Sequence, residues 1–464
     1  MRTRLRSPAI AAVALCSLWL GASTADENAS GRILGAALTD SQAYRKLAYL
    51  TDHIGHRLSG SEALERAVAW AVAEFERDGI ERVWTEPVMV PHWVRGHESV
   101  SILLPVEREV AVLTLGGSVG TGPDGVQAAV LLVESLEQLD REGAAAAGKI
   151  VLFNKPMTAG SDSESPYGTV VQMRAKGPSA AGKLGAVGML IRSLGTADYR
   201  LPHTGALRYE DGAPRIPAAA ISAEDAELIR RLIESGETVR VGMDLGATQG
   251  PDAESANVIA DLPGRELPDE IVLIGGHLDS WDVGHGAHDD GAGCVVVMET
   301  LRLLKKHGLI PRRTIRAVLF TNEENGLRGG RDYAERHASD HHVAAIESDS
   351  GGAAPLGFGV SAGPGGLELI EPIVAELQGL GAGKVFPRGG GADIGPLKKL
   401  GVPVLGLVQD TTKYFDYHHT KADTLDKIDP HALNRNVAAM MLMAYALAEH
   451  EETLPRLEPE APSE

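Results

Sequence analysis

From about residue 257 onward, short apolar runs that fit β-strands alternate with longer segments that have helical apolar spacing. The strand-like runs are 271–274, 314–321, 343–346 and 402–408, and the helix-like segments are 291–306, 329–337, 367–380 and 430–449. Strands that alternate with helices are typical of α/β domains whose sheet is covered by helices on both faces. We therefore predict a three-layer α/β domain with a mostly parallel sheet.

Acidic residues and histidines follow most of these strand-like runs. In chain order they are His277, Asp279, Asp289, Asp290, Glu323, Glu324, Asp349, His418, His419 and Asp423. Because the carboxyl ends of parallel strands meet at one edge of a sheet, we expect these side chains to converge there. Five nitrogen and oxygen ligands with one spare carboxylate match the requirements of two hydrolytic zinc ions.

Each of these groups, taken alone, has an ordinary explanation. Paired aspartates before glycines, as in Asp289-Asp290, are common at helix N-caps. Asp349 fits a solvated loop, and the pairs Glu323-Glu324 and His418-His419 fit a charged surface. The joint order of the groups along the chain, rather than any one of them, indicates a metal site.

The residue types suggest a division of roles within such a site. A histidine ligand usually donates its second ring N–H to an acceptor, and the acids that follow two of the histidines, Asp279 and Asp423, could accept it. A carboxylate can bridge two cations because each of its oxygens binds one. Adjacent side chains in Glu323-Glu324 diverge, so one can bind metal while the other acts as general base.

The remaining chain is divided as follows. Residues 26–96, with helical spacing from 41 to 75, are predicted to form the first part of the catalytic domain. Residues 97–250 have short β-like runs and Gly-rich turns, which predicts an inserted β-rich domain. Residues 251–453 complete the catalytic domain, and the Pro-rich tail 454–464 is predicted to be disordered. Six histidines without a partner pattern are expected to be solvated or packed: His203, His285, His288, His341, His342 and His431.

The first 25 residues have the pattern of an export signal. Arginines at positions 2, 4 and 6 precede an apolar run that is too short to span a bilayer comfortably. We therefore expect an exported, secreted or periplasmic protein without stable membrane insertion. The formal net charge of −19, with no basic stripe, argues against a nucleic-acid partner.

The motifs resemble the zinc aminopeptidase and carboxypeptidase family M28. The resemblance rests on GHLDSWDVG at 276–284, DDG at 289–291, EE at 323–324 and ESD at 347–349. It extends to IGHRLSGS at 54–61 and PHTG at 202–205, so it covers nearly the whole mature chain. The resemblance implies a zinc-exopeptidase-type fold in which the insert is a protease-associated-like domain over the active site.

The resemblance also implies roles for individual residues. One zinc ion would be held by His277 and Asp349, the other by Glu324 and His419, and Asp289 would bridge them. Glu323 would be the general base, and His418 would polarise the substrate carbonyl. Asp279 and Asp423 would lie behind the ligands and orient them. In this family the peptide bond between residues 289 and 290 is expected to be cis, and the working form to be a homodimer.

The activity implied is hydrolysis of small peptides, above all dipeptides with free ends. Three alternatives remain open from the sequence. The enzyme could be an aminopeptidase acting on longer peptides, or a glutaminyl cyclase-type acyltransferase with a single zinc. The third alternative, a non-catalytic binding protein, requires lost ligands, and no ligand of the motif is missing.

Overall fold

The computed structural model describes residues 23–157, 166–197 and 199–460, with side chains from residue 29 onward. Most of the predicted signal peptide therefore lies outside the described residues. The helices are α1 (Ser23–Asp40), α2 (Ala43–Tyr49), α3 (Glu62–Arg77), α4 (Leu136–Glu142), α5 (Pro166–Lys183), α6 (Ala223–Glu234), α7 (Ala292–Lys306), α8 (Arg328–Arg336), α9 (Gly366–Glu376), α10 (Gly395–Lys399), α11 (Tyr414–Tyr417) and α12 (Pro430–Glu449).

The strands form two large sheets and one two-stranded ribbon. They are β1 (Arg82–Val90), β2 (Trp93–Val94), β3 (Glu98–Leu104), β4 (Arg108–Val110), β5 (Val112–Thr114), β6 (Val126–Val133), β7 (Ile150–Phe153), β8 (Gly188–Arg192), β9 (Ala218–Ile221), β10 (Arg240–Leu245), β11 (Thr248–Gln249), β12 (Ala253–Leu262), β13 (Leu267–His277), β14 (Arg313–Phe320), β15 (His341–Glu347), β16 (Pro355–Ser361), β17 (Lys384–Pro387) and β18 (Val404–Gln409).

The first sheet has the order β1-β12-β14-β13-β15-β18-β16-β17. Its central strands β14, β13, β15 and β18 run parallel, as does the pair β16 and β17. The remaining neighbours, β1 with β12, β12 with β14 and β16 with β18, are antiparallel. The sheet is therefore mixed, with the parallel part at its centre, where the sequence predicted alternating strands and helices.

Alternating side chains of the central strands build two separate cores. On β14, Ile315 and Leu319 pack into the core beneath α7 and α12, whereas Val318 and Phe320 pack on the opposite face with α8 and α10. This alternation follows from the two-residue period of a strand. Both faces of β14 are buried along its whole length, which fits the apolar run 317–320 at its end and gives the three layers.

The second sheet is built from residues between 98 and 245 in the order β4-β3-β10-β6-β7-β8-β9-β5. Strands β6 to β9 are parallel neighbours. Parallel strands require crossover connections, and α4 and α5 lie in these connections, with α5 against one face and α6 against the other. The segment therefore contains more helix than its β-rich sequence texture suggested.

Trp281 connects the two sheets. Its ring is almost fully buried and packs with Leu58, Trp93 and Leu113, which come from the N-terminal segment and the second-sheet region. A Cβ on Gly116 would lie 1.9 Å from the Trp281 ring, so only glycine leaves room for it. This contact lies directly after β13 and fixes the second sheet beside the loops that follow the central strands.

The C-terminal segment 454–460 is packed, although the sequence predicted disorder from residue 454. Leu454 is buried, the N–H of Leu457 donates to the carbonyl of Gly401 at 3.0 Å, and that of Glu460 donates to Lys399 at 2.9 Å. The prolines fit this course because an extended segment needs few main-chain donors. Residues 461–464 lie outside the described part of the chain.

Candidate functional site

The carboxyl ends of three neighbouring parallel strands carry four of the candidate residues. His277 is the last residue of β13, Glu323 and Glu324 follow β14, and Asp349 follows β15. Since β13 lies between β14 and β15 in the sheet, these side chains meet at one edge. The convergence predicted from the strand-end positions is thus present in the structure.

Asp289 lies at the centre of this cluster. It belongs to the turn Ala287–Gly291, just before α7, and its peptide bond to Asp290 is cis, as the family resemblance implied. One carboxylate oxygen, Oδ1, lies 3.2 Å from His277 Nε2, and the other, Oδ2, lies 3.1 Å from His419 Nε2. The two oxygens of one carboxylate therefore face two different histidines.

Each of these histidines has a second acidic neighbour. His277 Nε2 lies 3.3 Å from Asp349 Oδ1, and His419 Nε2 lies 3.0 Å from Glu324 Oε2. Two groups of three candidate ligands result, which share Asp289. Sequence reasoning named all five of these residues.

The candidate ligand atoms are better placed to bind metal ions than to form hydrogen bonds with one another. Three buried side-chain atoms, His277 Nε2, Asp289 Oδ2 and Glu324 Oε1, have no hydrogen-bond partner in the described structure. Buried polar atoms without partners are costly. Tetrahedral zinc with ligands at about 2.0–2.1 Å separates two ligand atoms by about 3.3 Å, close to the 3.0–3.3 Å measured here. The residues present thus fit a pair of zinc ions.

Charge leads to the same conclusion. Burial and the neighbouring charge of Asp289 raise the pKa of Glu324 to about 7. Burial lowers the pKa of His277, but the carboxylates of Asp349 and Asp289 outweigh it and raise that pKa well above its usual value. Crowded acids that raise one another's pKa values and the pKa of His277 indicate a site with a deficit of positive charge.

The ring N–H acceptors of the two histidines are main-chain carbonyls rather than the predicted carboxylates. His277 Nδ1 lies 3.0 Å from the carbonyl oxygen of Asp279, whose carboxylate is 3.8 Å away. His419 Nδ1 lies 3.3 Å from the carbonyl oxygen of Thr204, in the second-sheet region. A carbonyl acceptor still fixes each ring with Nε2 directed into the site.

The carboxylates of Asp279 and Asp423 hold other loops instead. Asp279 accepts the main-chain N–H groups of Glu323 at 3.0 Å and Glu324 at 3.3 Å. Asp423 accepts three main-chain N–H groups, those of residues 287, 288 and 289, at 3.1, 2.7 and 3.2 Å. Both acids are buried. Each therefore fixes the backbone beneath a candidate ligand that belongs to a different loop.

Glu323 differs from its neighbour Glu324. Its main chain is fixed by Asp279, but no hydrogen bond or ion pair to its carboxylate is found among the described residues, and the side chain is only half-buried. Burial raises the pKa of Glu323 well above its usual value, although the charge of His277 opposes this. A free carboxylate with a raised pKa is suited to accept and return a proton.

His418 stacks on His419, and its Nε2 lies 3.3 Å from Asp289 Oδ2. Its other nitrogen, Nδ1, lies 2.9 Å from Nε2 of His203. No spacing pattern in the sequence pairs His203 with another residue, so its place in the site was missed. It stands 215 residues from His418, in a region without a cluster of metal-type residues in its sequence, and only the PHTG motif at 202–205 marked it.

A cavity of about 720 Å³ opens beside the cluster and is lined by Glu347, Asp349, Ser350 and the Gly-rich segment 389–391. Its volume lies in the range of pockets that hold small molecules, about 300–1,000 Å³. Asp393 is buried behind this wall, and the main chain at 393 and 394 donates to Glu347. The cavity thus reaches the candidate ligand Asp349 from one side.

Comparison with known proteins identifies the family. The model of Peptidase family M28 matches residues 257–444. Carboxypeptidase Q of Bos taurus is 41% identical over 417 residues, which cover 89% of this chain and 87% of that protein. The chain belongs to peptidase family M28. Carboxypeptidase Q of Homo sapiens is 40% identical to this M28 peptidase over the same length.

Solved structures confirm the fold of this M28 peptidase. The crystal structure of a peptidase M28 precursor from Shewanella amazonensis has a TM-score of 0.91 and 38% identity, and it covers 95% of this chain and 100% of its own. A zinc aminopeptidase from Bacillus subtilis has a TM-score of 0.65 at 20% identity, which supports the fold alone. The predicted α/β fold and membership of the peptidase family are confirmed.

Proposed function

We propose that this M28 peptidase is a zinc-dependent exopeptidase that hydrolyses small peptides, above all dipeptides with free ends, at a site for two zinc ions. The observation that carries the proposal is the position of Asp289, whose two oxygens face His277 and His419 separately. His277 and Asp349 would hold one ion, and Glu324 and His419 the other. Asp289 would bridge them.

The chain's own residues supply proton transfer and orientation. Bound zinc lowers the pKa of water toward neutrality and polarises a carbonyl group. Glu323 takes the proton from the attacking water and then passes it to the departing amine. His418 donates a ring N–H toward the carbonyl oxygen, where negative charge develops. Asp279 and Asp423 hold the loops of Glu323, Glu324 and Asp289 in place.

Small substrates are supported by the limited size of the cavity, about 720 Å³. The relatives named carboxypeptidase Q support exopeptidase action, since most of their length aligns with this chain. Assaying a panel of dipeptides that are free, blocked at the amino end or blocked at the carboxyl end tests the assignment. Hydrolysis of free dipeptides alone is expected. Efficient cleavage of long peptides from their amino ends would favour the aminopeptidase alternative.

The two-zinc mechanism is tested by metal content and by Glu323→Gln. We expect about two zinc ions per chain, and loss of activity on chelation with recovery on zinc addition. Glu323→Gln should retain the zinc but lower kcat by about 10²- to 10⁴-fold, because only the base is lost. A wild-type rate in this variant, or activity indifferent to chelators, contradicts the mechanism. A single zinc would favour the acyltransferase alternative.

Export, the covering domain and homodimer formation belong to the same proposal. Export is supported by the residue pattern of the first 25 positions. Among the described residues, none of the helices combines the length and hydropathy of a membrane span. The protease-associated-like role of 97–250 is supported by its contacts with His418 and His419. Homodimer formation rests on the family resemblance, and light scattering of the purified protein tests it.

A further inference from the structure

We propose that His203, from the second-sheet region, is a positioning residue that fixes which nitrogen of His418 carries the proton. The inference rests on the proposed function, in which His418 donates an N–H toward the substrate carbonyl oxygen. His203 itself does not reach the reacting atoms. It acts through the 2.9 Å contact between its Nε2 and His418 Nδ1.

The protonation pattern follows from the neighbours of each nitrogen. His418 Nε2 faces a carboxylate oxygen, Asp289 Oδ2, at 3.3 Å, and a bare nitrogen there would place two lone pairs against each other. A neutral imidazole has one N–H, so the proton belongs on His418 Nε2 and Nδ1 is the acceptor. The N–H that it accepts comes from His203 Nε2.

The far side of His203 agrees with this assignment. Its Nδ1 is buried and has no hydrogen-bond partner in the described structure. With the His203 proton on Nε2, Nδ1 carries no hydrogen, so the ring has no buried N–H that lacks an acceptor. The reverse pattern would leave a bare nitrogen of His418 against Asp289 and require an N–H on Nδ1 of His203, where nothing accepts it.

A metal ion shared by His203, His418 and His419 is the competing explanation, since their nitrogens lie close enough for one ion. The contact between His203 and His418 argues against it. At 2.9 Å the two nitrogens are at hydrogen-bond distance, so one of them carries the shared proton and has no lone pair for a metal ion. His419 Nε2 is moreover directed at Asp289 and Glu324.

The surroundings hold His203 firmly in this position. Its main-chain N–H donates to Ser193 at 3.0 Å, and its side chain is 1% exposed. The next residue, Thr204, donates its N–H to the carbonyl of His419 at 3.0 Å and accepts from His419 Nδ1. Two consecutive residues of the second-sheet region thus hold the two consecutive histidines of the site.

The kinetic test compares two substitutions of His203 in the zinc-loaded, full-length enzyme. His203→Leu removes the donor and should lower kcat by about 10- to 100-fold, as is typical when the partner of a site residue is lost. KM and zinc content should remain close to wild type. His203→Gln places an amide N–H near the position of Nε2 and should recover most of kcat. His342→Leu removes another buried histidine, bonded to Tyr333 at 2.9 Å, and should leave kcat unchanged.

The spectroscopic test uses the wild-type enzyme and does not depend on the stability of a variant. Nitrogen–proton correlation spectra of zinc-loaded protein with ¹⁵N-labelled histidine should show His418 protonated on Nε2, with the signal assigned from His418→Gln. A proton on Nδ1 of His418, or equal losses of kcat in His203→Leu and His203→Gln, would overturn the inference. Absence of zinc would instead refute the proposed function, so the two failures are distinguishable.

Discussion

Asp423→Asn is expected to weaken zinc binding even though Asp423 is assigned no contact with the metal. Its carboxylate accepts three main-chain N–H groups from the turn that carries Asp289, at 2.7 to 3.2 Å. An asparagine can keep the two bonds to Oδ1 through its carbonyl oxygen. Its amide group then faces the N–H of Asp289, so that one acceptor is replaced by a donor.

The size of the effect follows from that single lost bond. A hydrogen bond to a charged group contributes about 1.5–3 kcal/mol, and this corresponds to a factor of about 10 to 150 in a binding constant. Loss of a partner that supports a metal ligand typically weakens metal binding by about 10- to 100-fold. The two estimates agree, so we expect zinc affinity to fall by between one and two orders of magnitude.

Titration of metal-free protein with zinc against a competing chelator measures this affinity directly. Asp426→Asn is the matched control, because Asp426 is three residues away and its side chain is 71% exposed. The control should bind zinc as the wild type does. Wild-type zinc affinity in Asp423→Asn would refute the reasoning, since the position of Asp289 would then not depend on this carboxylate.

Two further predictions concern stability. Burial lowers the pKa of His337, but its hydrogen bonds with Glu86 and a second carboxylate outweigh burial and raise that pKa. The stabilisation from these bonds is therefore complete below about pH 6.5, the usual pKa of histidine. It is lost as the pH rises through the higher pKa of the folded state. The deficit in Tm of His337→Gln should therefore shrink between pH 6 and 9 in thermal melts, and a constant deficit would contradict this. Glu299→Ala leaves Lys46, its partner at 2.7 Å and 1% exposed, with one buried partner fewer, and should lower the free energy of unfolding by about 3–5 kcal/mol. Denaturant unfolding checks this against Glu81→Ala, whose side chain is 82% exposed and whose loss should change little.

The candidate ligands could be predicted from sequence because strand position is a local property. His277 ends a run of apolar residues that is buried on both faces, and such a run indicates a central parallel strand without knowledge of its neighbours. Once the strands are parallel, their ends must share an edge. The same reasoning reached Glu324 and Asp349, which follow strands of the same kind.

The hydrogen-bond partners of the site residues could not be predicted in this way. Asp279 is two residues from His277, and this spacing suggested that its carboxylate orients the ring. In the structure its main-chain carbonyl does so, and the carboxylate turns to the loop of Glu323. Spacing along the chain restricts which residues are near one another, but loop geometry decides which atom of a residue faces which neighbour.

His203 was missed for a different reason. The sequence of 97–250 contains no cluster of acids and histidines, so no catalytic or metal-binding residue was predicted there. A single histidine carries no periodic or spacing signal, and its partner, His418, lies 215 residues away. Contacts between two different sheets leave no periodic pattern in either segment, so beyond the PHTG motif at 202–205 nothing in the sequence pointed to this contact.

The main-chain hydrogen bonds of Asp279 and Asp423 have a structural consequence. Each acid follows one candidate histidine but bonds the backbone beneath a ligand from another loop: Asp279 beneath Glu324, and Asp423 beneath Asp289. The loops after β13, after β14, before α7 and after α11 are therefore cross-linked by buried carboxylates rather than held one by one. Since these bonds end on main-chain N–H groups, they do not depend on a metal ion. The ligand positions in different loops are consequently coupled through these carboxylates, and a substitution in one loop should displace a ligand in another.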